Sequence, residues 1–129
     1  MPTEQELQKL YDSLNEQRKT LLASRDVAKD IQQIGEQSDL NISEINMLLN
    51  EVGLVILGIE EKDTLSDDLI EVLGIEPEKA EIIAQKITES VLSKITWESE
   101  DNTSIDEIRK ALRDNSKTVN VKNIIANLK

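Results

Sequence analysis

The chain has 129 residues, which is enough for one domain or for one domain with an extension. It contains neither cysteine nor histidine, which excludes disulfide bonds, thiol chemistry and proton transfer by imidazole, and leaves only oxygen ligands for a metal. Apolar residues make up 38% of the chain and charged residues 32%, a composition that supports a modest hydrophobic core rather than full disorder.

The net charge of −11 is distributed unevenly along the sequence. Residues 1–35 carry six acids and five bases, residues 36–102 carry seventeen acids and four bases, and residues 103–129 carry three acids and six bases. The middle of the chain is therefore an acidic body, and its C-terminal segment is mildly basic. Acidic surface repels nucleic acid, and Tyr11 and Trp97 alone offer no platform for stacked bases. We expect no direct binding of nucleic acid, and either a solvated surface or attraction to a basic partner.

The first 34 residues are predicted to be helical, and Thr3 and Glu6 have the spacing of a capping box. Near Ser24 the apolar face changes direction. Either the helix breaks there and Ser24 caps a second helix, or one long helix continues to Ile34 and supercoils. Before this point the apolar side chains form one narrow stripe on a polar helix.

This leucine stripe would either pack on the rest of the chain or form a docking or self-association helix that binds another protein or a second copy. We name as candidate partner-binding residues Leu7, Leu10, Tyr11, Leu14 and Leu21.

The most apolar stretch is residues 45–59, I-N-M-L-L-N-E-V-G-L-V-I-L-G-I, in which ten of fifteen positions are apolar. Ser43 as N-cap, with Ile42 and Met47 at the positions of a hydrophobic staple, predicts a helix from Glu44 to about Leu57. Gly58 is predicted to end it in a left-handed conformation.

A short buried strand over residues 52–59 is the alternative to this helix. The stretch is too short to span a bilayer, which needs about 20 apolar residues. We expect the core to gather on this segment and predict five of its side chains to be buried: Leu48, Leu49, Val52, Val55 and Ile56.

Gly35 is predicted to end the helix before this stretch, and two more helices are predicted after it, over residues 65–73 and 77–95. Thr64 is the expected N-cap of the first, Gly74 its left-handed C-terminal cap, and Pro77 the first residue of the second. Acidic residues flank the turn between them, so this helix pair is not expected to bind DNA.

Residues 97–129 are predicted to form an acidic linker and two short basic helices. Ser104 and Glu107 make a second capping box, and Asn120 is the expected cap of the last helix.

Two segments, E-V-G-L-V-I-L-G-I and L-I-E-V-L-G-I-E-P-E-K-A-E-I-I-A-Q-K-I, carry a resemblance to a known group of proteins. Together with their surroundings, about residues 27–95, they resemble small helical bacterial proteins of unassigned function. The resemblance implies helices, including over residues 51–59, and implies no activity. The N-terminal helix and the basic C-terminal segment lie outside it.

The sequence shows no catalytic motif. Its four glycines are too far apart for a phosphate loop, and no histidine is present to activate a serine. The acidic stretch from Glu98 to Asp106 lacks the turn glycine of a calcium loop. Asp67 and Asp68 are adjacent, so they point to different faces of a helix and are predicted to be solvated groups. We predict no enzymatic activity and no catalytic, cofactor-binding or metal-binding residues.

The predicted fold is all-α: a compact multi-helix bundle with a long N-terminal amphipathic helix and two short C-terminal helices. Its predicted parts are a helical extension over residues 1–24, an acidic helical core over 25–96, and the linker with the basic helical pair over 97–129. We expect a cytoplasmic protein, because no apolar segment follows Met1.

The predicted function is a non-enzymatic protein–protein interaction or assembly module. The alternatives are an acidic decoy that occupies a nucleic-acid-binding protein and, third, a small enzyme that uses carboxylates.

Overall fold

The computed structural model describes residues 4–95, 107, 109–111, 113 and 121, and for residues 4–7 it describes the backbone alone. Between residues 4 and 95 the only regular secondary structure is helical: six α-helices and the short 3-10 helices Lys62–Thr64 and Leu92–Lys94, joined by turns. The prediction of an all-α fold is confirmed for this part of the chain. The α-helices are α1 (Glu4–Ser13), α2 (Glu16–Ala23), α3 (Arg25–Gln37), α4 (Ile42–Leu57), α5 (Leu65–Leu73) and α6 (Pro77–Ser90).

The predicted long N-terminal helix is not confirmed, because α1, α2 and α3 are separate helices. Ser24 is extended and its hydroxyl accepts a hydrogen bond from the Val27 N–H at 3.2 Å, so the predicted break at Ser24 is present. A second break, which was not predicted, lies at Asn15. There the side-chain oxygen accepts a hydrogen bond from the Arg18 N–H at 3.0 Å. Both residues satisfy N–H groups that the first turn of a helix leaves without partners.

The helix α3 passes through Gly35 and ends at Gln37, so the prediction that Gly35 ends this segment was wrong. A Cβ at position 35 would lie 2.7 Å from Ile45 Cγ1. The glycine therefore permits close packing of α3 on α4 rather than ending a helix. The chain turns after Gln37 with Asp39 in the left-handed region, at a φ of 61°.

The helix α4 begins two residues earlier than predicted, with Asn41 as its N-cap in place of Ser43. The Asn41 side chain accepts from the Glu44 N–H at 2.8 Å, and the Glu44 carboxylate accepts from the Asn41 N–H at 3.0 Å. This reciprocal pair satisfies two N–H groups, whereas Ser43 would satisfy one. Ile42 is 80% exposed and forms no staple. At the other end Gly58 has a φ of 81°, which confirms the predicted left-handed cap.

The residues that end α5 and begin α6 are as predicted. Gly74 ends α5 with a φ of 64°, and Pro77 is the first residue of α6. Thr64 lies at the N-cap position of α5, but its hydroxyl makes no cap hydrogen bond and donates instead to Glu61 O and Asp68 Oδ2. The helix α6 ends at Ser90, and a 3-10 turn replaces the last predicted helical residues.

The helix α4 lies at the centre of the fold, and every residue from Glu51 to Leu57 is buried. The main hydrophobic core joins it to α2, α3, α5, α6 and residues 91–95. The prediction of burial is confirmed for Leu48, Val52, Val55 and Ile56, and Leu49 is half-buried against this core. A second, smaller core joins α4 to α1 and to Val121. No described helix has the length and apolar character that crossing a membrane requires.

Several predictions for the chain termini lie outside the described residues. These are the Thr3 cap, the linker around Trp97, and the caps at Ser104 and Asn120. The described positions 107, 109–111, 113 and 121 are helical.

Candidate functional site

The leucine stripe packs against the chain's own core. Leu10, Leu14 and Leu21 are 1%, 5% and 8% exposed, Tyr11 is half-buried, and the side chain of Leu7 lies outside the described part of the structure. Leu10 and Leu14 belong to the second core, together with Leu54, Leu57 and Ile59, and Leu21 belongs to the main core.

This packing is the intramolecular arrangement that the sequence left open as one alternative for the stripe. A side chain buried in its own core cannot contact a partner at the same time. Docking by these residues would require α1 and α2 to leave the core, and it stays a prediction.

Three arginines lie around the C-terminal end of α4. Arg18 Nη1 donates to Ile56 O at 3.4 Å, and Arg113 Nε donates to Ile59 O at 2.7 Å. Arg109 is close as well, since a Cβ at Gly58 would lie 2.9 Å from its Nε. The last carbonyls of a helix lack intrahelical partners and carry partial negative charge, so cations stabilise this end. Arg18 links α2 to the end of α4, and Arg109 and Arg113 lie at the same end, where a structural role explains all three.

Four carboxyl groups on or beside α4 and α5 influence one another electrostatically. Glu51 comes from the middle of α4, Glu60 from the loop after α4, and Asp68 and Glu71 from successive turns of α5. We call these four residues the acidic cluster. Asp68 and Glu71 lie on the same side of α5 because residues three apart in a helix are neighbours.

Glu51 is the buried member of the acidic cluster. It is 6% exposed, and no described residue donates a hydrogen bond to its Oε2. Burial, and then the charges of Asp68, Glu60 and Glu71, raise the pKa of Glu51 from its ordinary 4.5 to about 7. All three neighbours are acids, so each makes ionisation of Glu51 harder.

Asp68 is half-buried, and its carboxyl group is also perturbed. Burial raises its pKa from 3.8 to about 6, helped by the charge of Glu60, a hydrogen bond with Glu60 and the charge of Glu71. The Thr64 hydroxyl, 3.3 Å from Asp68 Oδ2, opposes this rise because it donates to the ionised form. A hydrogen bond between two carboxyl groups requires a proton on one of them. Burial and neighbouring acids thus raise the pKa of both Glu51 and Asp68 toward neutral pH.

The sequence pattern does not reveal this cluster. The prediction that Asp67 and Asp68 are both solvated holds for Asp67, which is exposed, whereas Asp68 is half-buried. Glu51 is the one charged residue in the most apolar stretch of the chain, and that isolation was the available signal. A carboxylate within such a stretch is either solvated on an exposed face or buried with an altered pKa.

The acidic cluster has the composition of a cation site. Among the described residues, no group of three or more acidic side chains has an arrangement that could hold a metal ion.

Comparison with protein-family models, with curated proteins and with solved structures finds no match to this chain. The function proposed below therefore follows from the residues and geometry of the chain itself.

Proposed function

We propose that this chain is a non-enzymatic protein–protein interaction module, which binds a basic partner through the acidic surface of residues 60–90. One observation carries the proposal. These residues contain ten acids and only three lysines, and eight of the ten acids are exposed. The segment comprises the loop after α4, then α5 and α6, so the charges project from a folded scaffold rather than from a tail.

Such a surface suits a partner of opposite charge. A field of one sign steers a complementary protein into encounter and rejects partners of like charge. The same field repels nucleic acid, because phosphates carry the same sign. The leucine stripe does not compete for this role in the folded chain, because Leu10, Leu14 and Leu21 are already packed inside it.

The proposal can be tested with a defined basic probe and a matched pair of variants. Glu89 on α6 and Glu36 on α3 are both exposed, and each accepts a hydrogen bond at 3.2 Å from the glutamine four residues before it. Glu89→Lys therefore reverses a charge inside the proposed surface, and Glu36→Lys reverses one outside it at the same local structural cost.

Fluorescence anisotropy with a labelled hexalysine peptide measures the effect of each reversal. We expect Glu89→Lys to weaken binding more than Glu36→Lys, and both differences to shrink as salt screens the charges over about 10 Å at 0.1 M. Equal weakening by the two variants would mean that net charge alone attracts the peptide. Absence of binding by the unmodified chain would refute the proposal.

The acidic decoy remains the alternative function, and it requires a partner that itself binds nucleic acid. Once a protein partner is found, competition decides between the two functions. Displacement of that partner's nucleic acid by the chain supports the decoy, and simultaneous binding supports a separate interaction surface.

A further inference from the structure

The basic C-terminal segment of the chain contacts the acidic surface through Arg113. Its Nη1 lies 3.7 Å from Glu61 Oε1, and Glu61 belongs to the loop after α4 with which the acidic surface begins. Arg113 also donates a hydrogen bond from Nε to Ile59 O at 2.7 Å. A hydrogen bond from a charged group is stronger than one between neutral groups, so this bond holds the guanidinium beside Glu61. One acid of the surface is therefore paired with a cation of the same chain.

A second contact, which involves no charge, attaches the segment to α4. Val121 is 5% exposed and belongs to the second core, and its N–H donates to Asn50 Oδ1 at 2.8 Å. One turn further along α4 lies Gly53, where a Cβ would be 2.7 Å from Val121 Cγ1. The missing side chain of Gly53 thus lets the valine lie directly against the helix. The segment is held at two points, one apolar and one at the edge of the acidic surface.

The charges of the segment and of the acidic surface are complementary. Residues 103–129 carry six bases and three acids, whereas residues 60–90 carry ten acids and three lysines. The segment therefore has the sign of charge that the proposed surface selects. Because it is covalently linked to that surface, its effective concentration there is on the order of millimolar. A basic partner that binds near Glu61 must compete with it.

We propose that the basic C-terminal segment is an intramolecular competitor for the acidic surface, an autoinhibitory contact that lowers the affinity for a basic partner until Arg113 is displaced. This proposal rests on the function proposed above, because it concerns the regulation of the same surface. The side chains of Arg113 and Glu61 are 42% and 61% exposed. Ion pairs this exposed are weak, so a partner with several basic residues displaces Arg113, whereas a partner with a single one competes poorly.

The experiment measures the affinity of the full-length chain for labelled hexalysine by fluorescence anisotropy, with two matched pairs of variants. Arg113→Gln and Lys110→Gln both change the net charge from −11 to −12, and Lys110 is an exposed residue of the same segment. Val121→Ala loosens the segment without changing any charge. Val91→Ala is the same substitution in the main core, at a residue that is also buried.

We expect Arg113→Gln to strengthen binding about two- to fivefold, the range that an exposed ion pair accounts for, and to do so more than Lys110→Gln. Val121→Ala should also strengthen binding, by about twofold or more, because a loosened segment competes at a lower effective concentration. Val91→Ala should bind hexalysine as the unmodified chain does. Thermal melts of all four variants establish that each is folded at the temperature of the titration.

Three results would overturn the competitor. If Arg113→Gln binds as Lys110→Gln does, and Val121→Ala as Val91→Ala does, the competitor is refuted and the acidic interaction surface stands. If Arg113→Gln alone strengthens binding, the local charge of one arginine explains the effect and competition by the segment is refuted. If the unmodified chain and all four variants fail to bind hexalysine, the proposed function and the competitor fail together.

Discussion

Replacing Glu51 by glutamine should change how the stability of the fold depends on pH. Burial and the charges of Asp68, Glu60 and Glu71 raise the pKa of Glu51 from 4.5 to about 7. The folded chain therefore holds this proton more tightly than the unfolded chain. Its contribution to stability is fully present below about pH 4.5 and is lost as the pH rises through about 7. At about 1.4 kcal/mol per pH unit, the loss amounts to roughly 3 kcal/mol.

In Glu51→Gln this loss cannot occur, because the amide does not ionise. Near pH 4 the amide and the protonated acid are alike in size and charge, so the variant and the unmodified chain should unfold at similar urea concentrations. Near pH 8 the variant should be more stable by about 2–3 kcal/mol, since it also spares Asp68 a neighbouring charge. The assay is urea unfolding followed by circular dichroism at about pH 4, 6 and 8.

Glu81→Gln serves as the control, because Glu81 is an exposed acid on α6 outside the acidic cluster. It should shift the stability by no more than about 0.5 kcal/mol at any of these pH values. If Glu51→Gln loses stability between about pH 4 and 8 as steeply as the unmodified chain does, Glu51 is not protonated in the folded protein.

Three further substitutions test the packing. Leu14→Ala, at a residue 5% exposed, should cost about 2–5 kcal/mol in a thermal or urea melt, whereas an unchanged melt would place α1 outside the core. Gly53→Ala would place its Cβ 2.7 Å from Val121 Cγ1 and should destabilise the fold by about 1–3 kcal/mol, with recovery when Val121→Ala is added. A gain of about 1 kcal/mol from Gly53→Ala, which helix propensity alone predicts, would contradict that contact. A Cβ added at Gly74 would meet no described atom beyond its chain neighbours within 4 Å, so Gly74→Val should lose stability only through the strain of the left-handed backbone, about 1–2 kcal/mol. A smaller loss of stability in Gly74→Asn would confirm that origin.

Within the described part of the chain, the sequence predicted the helices and many of the residues at which they begin or end. The left-handed caps at Gly58 and Gly74 and the start of α6 at Pro77 could be recognised because each depends on backbone geometry within a few residues. The burial of α4 was predictable too, since its apolar residues are too many to remain in water.

Competing local signals were harder to rank. Ser43 and Asn41 can both cap a helix, and the choice of Asn41 depended on a reciprocal bond with Glu44. Gly35 and Gly58 are both glycines, but Gly58 ends a helix whereas Gly35 lies within one, where Ile45 packs against it. The type of a residue limits the conformations that it can adopt, and the residues that pack against it determine which of these is present.

The sequence determined by itself that the chain is acidic and helical, that it gathers around residues 45–59, and that its N-terminal stripe needs an apolar surface. Which surface the stripe covers depends on contacts between distant segments, and in the folded chain Leu10 and Leu14 pack with Leu54 and Leu57 of α4. The fold likewise buries Glu51 and exposes it to the charges of Asp68, Glu60 and Glu71. Charge and helix periodicity are properties of neighbouring residues, whereas burial and the pKa of a carboxyl group depend on distances between segments far apart in the chain.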